Sequence, residues 1–446
     1  MKKDFTIKNN YIGLPIRKSA DGRKVENKLL KIYYSDVLVA EFSLEMDEKT
    51  DFNKKADFIS YIKLTGLNTN NFYPDKKAQY ALKEGDTITV ETDLPEKFFT
   101  EIEWSDTIPF TPVKTLHYHP PYGFLNDPNG LTYVDGIYHI FHQHNPVSQN
   151  WGNMSWGHTI TKDFKEYTFL GDEIIPDSTG VVFSGCGLIN KRKAFSLPED
   201  AILYFYTTAC PKEYSGEKPE SLNRGYCAQR MAYSLDNGKT VRKYGNWELP
   251  MIENENRDPK IFYHDESNSY IMSLYLTGNR FAIFRSADLN EWTKTQELDL
   301  PPMWECPDLF ELIGENGEKK WAFMSADGYY YIGEFDGYKF TPEGDMKKLY
   351  SDKYPYAAQS FSNISGRVLS IAWLRLPNNG ENHTGCMSIP REFTLGKDSE
   401  GYFIKQSFAR EVADLIETTV DGTKIKDANI TEIISGDGKY LSITVL

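Results

Sequence analysis

Cysteine is scarce. The 446 residues hold five (Cys186, Cys210, Cys227, Cys306 and Cys386), an odd number with no Cys-X-X-Cys spacing. Zinc-ribbon and disulfide-framework architectures therefore have no support, and free thiols in a reducing compartment are expected. Long apolar runs are missing as well; none approaches the roughly 18 residues of a membrane-spanning helix. The basic start, Met1 to Lys8, leads into no apolar segment of the signal-peptide kind. As written the sequence reads as cytoplasmic, with secretion the alternative if a leader has been trimmed. Positive charge is in deficit: 50 Lys and Arg stand against 64 Asp and Glu, a formal net charge of −14. So acidic a surface repels phosphate backbones, which excludes nucleic acid as a natural partner. Helical periodicity is weak, and the best helix candidate is a short stretch at Ser407–Leu415.

Aromatic rings, in contrast, are abundant: 29 Tyr, 26 Phe and 8 Trp, 14% of the chain. Such usage suits a β-rich protein, most rings being packed in its cores, or a carbohydrate binder whose rings lie against sugar faces. The length allows two or three domains. Residues 1–110 alternate as a small all-β unit, with strands at Leu29–Tyr34, Val37–Phe42 and Thr87–Thr92, and a β-sandwich-like accessory domain is expected. From about residue 111 an apolar-aromatic strand phrase recurs at Ile137–Gln143, Ile202–Thr208, Ser269–Tyr275, Lys320–Ala326 and Arg367–Trp373. The starts lie 47 to 67 residues apart, enough for one four-stranded sheet each. An Asp-turn-aromatic phrase trails most of them: Asp163-Phe164, Asp288-Leu289 and Asp336-Gly337-Tyr338. The repeat predicts a five-bladed β-propeller over 111–395. Residues 396–446 form a short β tail that extends the last blade or packs on the N-terminal unit.

A propeller brings the inner strands of distant segments around one central funnel. Three acids stand at equivalent places before strand phrases. Asp127 sits in Asn126-Asp127-Pro128-Asn129-Gly130, which reads as a tight turn. Asp258 sits in Arg257-Asp258-Pro259-Lys260, where the neighbouring Arg is expected to keep it ionised. Glu305 sits in Trp304-Glu305-Cys306-Pro307, apolar company that would raise its pKa towards that of a general acid. Each has an ordinary reading alone: a turn Asp, a surface ion pair, a buried Glu. Together they suit glycoside cleavage, which needs one ionised carboxylate and one protonated acid. His139, His142 and His144 form a cluster on one strand, but no further Cys or acid at ligand spacing joins it, so a structural role is expected and no metal.

The same strings resemble glycoside hydrolase family 32, the group of invertases, inulinases and levanases. The family's Trp-Met-Asn-Asp-Pro-Asn-Gly signature is matched by Phe124 to Gly130, its Arg-Asp-Pro by Arg257 to Pro259, and its Glu-Cys-Pro by Glu305 to Pro307. Phe183-Ser184-Gly185, Trp151-Gly152-Asn153-Met154, Ala358-Gln359-Ser360-Phe361 and Ser388 to Glu392 follow the family pattern too. The resemblance implies a retaining β-fructofuranosidase acting on sucrose, fructo-oligosaccharides or fructans, without a cofactor. Asp127 is then the nucleophile, Asp258 the transition-state stabiliser and Glu305 the acid/base. It also implies that Asn126, Gln143, Trp151, Phe183, Ser184, Arg257 and Trp373 line the fructose pocket. Phe124 and Leu125 depart from the family Trp and Met, leaving linkage preference open. An arabinan- or xylan-type propeller glycosidase is one alternative, a non-catalytic fructan-binding protein the other.

Overall fold

The computed structural model describes residues 1–18, 26–47, 50–68, 80–109, 111–209, 227–253 and 255–446. Cys210 lies outside them; Cys186, Cys306 and Cys386 are buried free thiols, and Cys227 is buried too. Nearly all regular structure is strand. Among the described residues no helix is long and apolar enough to cross a membrane.

Five antiparallel sheets with four principal strands each follow one another in the chain. Their first strands are Gly123–Val134, Val181–Ile189, Arg257–His264, Asp308–Ile313 and Pro355–Ser360. The five recurring phrases fall on the second strand of each sheet. That position is sandwiched between neighbouring sheets, so its residues are apolar on both faces: Ile202, Leu203, Tyr204 and Phe205 are all fully buried. The trailing Asp phrases join third and fourth strands. In each, the Asp carboxylate accepts a backbone N–H two residues on, from Lys165 at 2.9 Å, Asn290 at 2.9 Å and Tyr338 at 2.8 Å. The following residue then turns through positive φ, at Phe164, Leu289 and Gly337.

The rings supply the mortar between sheets. Phe141, Trp156 and Tyr204 join the first sheet to the second, and Ile271, Ile283, Leu309 and Phe323 the third to the fourth. The circle closes where His383–Thr384, from the fifth sheet's loop, runs parallel to Gly123–Phe124 of the first. This is a β-propeller. A buried knot ties three of its inner strands: Lys260 Nζ donates to Ser360 Oγ at 3.0 Å and lies 3.5 Å from Asp308, which accepts the Ser360 N–H at 2.6 Å.

Ahead of the propeller, Lys2–Thr6, Thr87–Thr92, Glu26–Tyr34 and Val37–Met46 form one sheet, and Phe58–Lys63, Tyr11–Ile16 and Glu103–Ser105 a second. Ile12, Leu14, Ile32, Phe42, Ile62 and Val90 form a common core between them. The boundary at 395 needs correction. Arg391–Asp398 crosses it and pairs along its whole length with Gly401–Phe408, so the fifth sheet ends at Phe408. The remaining strands, Glu417–Thr419 to Leu441–Val445, make a separate four-stranded sheet. Its Ile425, Ile434 and Leu441 pack into the propeller cluster that holds Leu369 and Ile371, not on the N-terminal unit. The helix expected at Ser407–Leu415 reduces to a 3-10 segment, Arg410–Leu415.

Candidate active site

The three acids meet in one cavity of about 380 Å³, contributed by the first, third and fourth sheets. Asn126, Gln143, Trp151 and Phe183 line it as well, and so do Ser184, Arg257 and Trp373. Tyr356 also lines it, a residue the sequence did not single out.

Asp127 and Asp258 reach the cavity through β-bulges rather than turns, which corrects the turn expected at Asn126–Gly130. Across the first strand, Leu125 pairs with His144 and Pro128 with His142, so Asn126 and Asp127 together oppose Gln143. Across the third sheet, Arg257 pairs with Tyr275 and Lys260 with Ser273, leaving Asp258 and Pro259 opposite Leu274. Ser184 bulges in the second sheet, and Ala357 with Ala358 in the fifth. Proline cannot donate to the ladder, so Asp-Pro inside a strand demands this break. At or beside these bulges Asp127, Ser184, Asp258 and Tyr356 line the well. The backbone is strained there: φ is +62° at Asp258, +33° at Glu305, +44° at Cys306 and +50° at Ala357. Non-glycine residues in this region cost on the order of 1 kcal/mol each, a cost tolerated where it fixes functional geometry.

The hydrogen bonds give each acid a different setting. Asp127 accepts from Ser184 Oγ at 2.7 Å and from the Asn126 amide at 3.2 Å. Burial and the nearby Glu305 charge push it up to about 6, against the pull of those donors. Asp258 accepts the Cys306 N–H at 3.0 Å, and the Cys306 thiol lies 3.5 Å from it and 3.8 Å from Asp127. Burial and two carboxylate neighbours push Asp258 up to about 7, in spite of Arg257. Arg257 pulls Asp258 the other way, towards the ionised form, as their adjacency in sequence leads one to expect. Its guanidinium is shared, however: it forks onto Glu305 Oε2 through Nε at 3.1 Å and Nη2 at 2.8 Å, and stands 3.8 Å from Asp258. Glu305 is not in apolar company. Besides Arg257 it accepts the Tyr356 hydroxyl at 2.6 Å, on Oε1. Burial and these charges hold the Tyr356 phenol and the Cys306 thiol well above their ordinary values, so both stay protonated.

Three polar atoms on the cavity side chains have no hydrogen-bond partner among the described residues: Asn126 Oδ1, Gln143 Nε2 and Trp373 Nε1. Buried polar groups are normally satisfied, so a cluster of open ones marks where a polar ligand belongs. The histidines face other tasks. His144 bridges Asp172 at 2.8 Å and the Tyr122 carbonyl at 2.9 Å, His142 contacts the Tyr118 hydroxyl, and His139 pairs with His158. Among the described residues no group of three or more His, Cys, Asp or Glu is placed to hold a metal ion.

Removing the Tyr356 hydroxyl tests whether it positions Glu305. Tyr356→Phe is expected to lower kcat/KM about 10- to 100-fold on a fructoside with an alkoxide leaving group. An activated aryl fructoside, which needs no protonation, should lose less than about 3-fold. Equal loss on both substrates indicates a general packing defect instead.

Comparison with known proteins places this arrangement. Residues 117–407 match the model of the glycosyl hydrolases family 32 N-terminal domain. Levanase from Bacillus subtilis is 32% identical over 351 residues, covering 71% of this chain and 49% of that protein. Extracellular exo-inulinase from Aspergillus awamori is 30% identical over 63% of this chain and 61% of its own length. The crystal structure of that exo-inulinase superposes with a TM-score of 0.67 at 20% identity, over 76% of this chain and 93% of its own. A fructofuranosidase from Schwanniomyces occidentalis, complexed with fructosylnystose, superposes with a TM-score of 0.60 at 27% identity, over 69% and 64%. The chain spans about half the length of the levanase and three fifths of the exo-inulinase. With a family model matched over most of the propeller and a levanase at 32% identity, this chain belongs to glycosyl hydrolase family 32.

Proposed function

We propose that the protein is a retaining β-fructofuranosidase that releases fructosyl units from sucrose, fructo-oligosaccharides or fructans. Asp127 attacks the anomeric C2 as the bond to the leaving oxygen breaks, and Glu305 delivers its proton to that oxygen. Glu305 then takes a proton from water, whose oxygen attacks C2 and frees Asp127 from the fructosyl ester. Two displacements at one carbon return the original configuration. Asp258 holds ring hydroxyls that bind more tightly as positive charge develops on the sugar. The open atoms of Asn126, Gln143 and Trp373 take the remaining hydroxyls. Residues 1–110 act as an accessory unit, residues from 111 to the end of the fifth sheet as the catalytic one, and the five sheets as its blades. The buried thiols of Cys186, Cys306 and Cys386 favour a reducing, cytoplasmic setting, while an extracellular relative supports the secreted alternative.

The observation that carries this reading is the meeting of three carboxylates in a single cavity, with one guanidinium between Glu305 and Asp258 and one phenol on Glu305. Burial and mutual repulsion hold Asp127 and Asp258 above the ordinary carboxylate range, the mark of acids gathered at one site. The test is fructose release from sucrose, inulin and levan beside an arabinofuranoside, between pH 4 and 8. Release from the fructosides alone is expected; turnover of the arabinofuranoside alone, or of none, refutes the reading.

A further inference from the structure

We propose that the N-terminal unit builds a binding cleft for the leaving-group side of an oligomeric fructoside, and so sets preference for chain length. The proposal rests on the fructosidase reading above and adds to it a specificity site outside the catalytic cavity.

The cleft has a volume of about 400 Å³ and lies between the two units. Arg17 and Lys18 line it from the N-terminal side; Phe124, Gln149, Trp151 and Asn378 line it from the propeller. It adjoins the catalytic cavity on two rings. Trp151 is a wall of both and is 55% exposed, rare for so large an apolar side chain. Phe124, three residues before Asp127, meets the cavity's Trp373 edge-on with ring centroids 6.1 Å apart. A chain whose fructosyl end sits on Asp127 leaves the cavity past these rings.

The N-terminal unit holds the loop that presents Trp151. Glu45 accepts from Ser148 Oγ at 2.7 Å and from Asn150 Nδ2 at 2.8 Å. Asn153 clamps the backbone of Ser43 both ways, accepting its N–H at 2.6 Å and donating to its carbonyl at 2.9 Å. A residue of the catalytic cavity is thus fixed by contacts more than a hundred residues away in the chain. At the cleft wall, Arg17 is only 4% exposed. Its Nη2 donates to Glu101 and to the Lys54 carbonyl, while Nε and Nη1 have no partner among the described residues. A buried guanidinium with open donors, flanked by aromatic faces and amides, is the chemistry that sugar hydroxyls and their C–H faces complement.

The experiment compares kcat/KM on sucrose and on an inulin- or levan-type oligosaccharide of four to six units, for the full chain and two variants. Arg17→Met removes the open donors, and Asn378→Trp obstructs the rim from an exposed loop position. Both are expected to lower kcat/KM on the oligosaccharide at least 10-fold, chiefly through KM, and to keep sucrose within 2-fold. Sucrose activity reports folding, so equal loss on both substrates in both variants overturns the proposal. Unchanged oligosaccharide activity in both overturns it too. If the unaltered protein cleaves no fructoside, the reading of its function fails and this one with it; if it cleaves them with no gain for longer chains, this one alone fails.

Discussion

Asp127→Asn and Glu305→Gln each lower kcat on sucrose or fructan by about 10⁴-fold or more, because each removes a group for which water is a poor substitute. The two losses differ in kind. Without Glu305 the leaving oxygen departs unprotonated and water attacks unassisted. An activated aryl fructoside therefore restores the first step in Glu305→Gln, a covalent fructosyl-enzyme accumulates as a burst, and azide relieves it with retained configuration. Asp127→Asn has no nucleophile, so better leaving groups bring no burst. Both substitutions keep shape and hydrogen-bonding capacity. The amide oxygen that replaces the Asp127 carboxylate can still accept from Ser184, and the one that replaces the Glu305 carboxylate can accept from Tyr356 or Arg257. Intact folding is checked by thermal unfolding. Full activity in either variant overturns the assignment of roles, and a burst in Asp127→Asn would mean that another acid is the nucleophile.

Much of this site was legible because three acids, each followed within two residues by a proline, stand at equivalent places ahead of recurring strand phrases. Asp127, Asp258 and Glu305 stood out for that reason. What the strings signify locally was misread: a proline that breaks a strand ladder yields a turn or a bulge, and only pairing across the sheet separates the two. At Leu125–Pro128 the partner strand continues, so a bulge results. The second strands were legible from continuous apolar runs, since they are buried on both faces. The charge pattern was less so. Adjacency in sequence suggested that Arg257 serves Asp258, and it stands 3.8 Å away, yet its hydrogen bonds go to Glu305, 48 positions on, which no local pattern announces. Tyr356 carried no mark among 29 tyrosines; it is distinguished only by the bulge at Ala357 and Ala358 and by the hydroxyl it turns to Glu305. The hold of Glu45 and Ser43 on the Trp151 loop was beyond reach for a related reason: no local pattern encodes a contact between residues a hundred positions apart.

Asp258→Asn separates function from stability in opposite directions. The variant is expected to lose about 10³-fold in kcat/KM, without recovery on activated leaving groups or with azide, since it neither attacks nor transfers the proton. Stability should rise. In the folded protein Asp258 is pushed up to about 7, from the ordinary carboxylate value of about 4, by burial and by Glu305 and Asp127. For an acid raised on folding, the ionised form is the disfavoured one. Below about pH 4 the side chain is neutral folded and unfolded, and no penalty exists. As pH climbs from about 4 to about 7 the unfolded chain releases its proton first, and the folded state loses stability over that window. Asparagine never ionises. The advantage of Asp258→Asn over the parent should therefore be near zero at pH 4 and reach about 1–3 kcal/mol by pH 7–8, after discounting for relaxation. The amide oxygen of the variant can still accept the Cys306 N–H, so no bond need be lost with the charge. Thermal unfolding of both proteins at pH 4 and 7.5 checks the sign. A variant less stable than its parent at pH 7.5 would mean that Arg257 balances the Asp258 charge after all, and that these crowded carboxylates are not held together at the expense of stability.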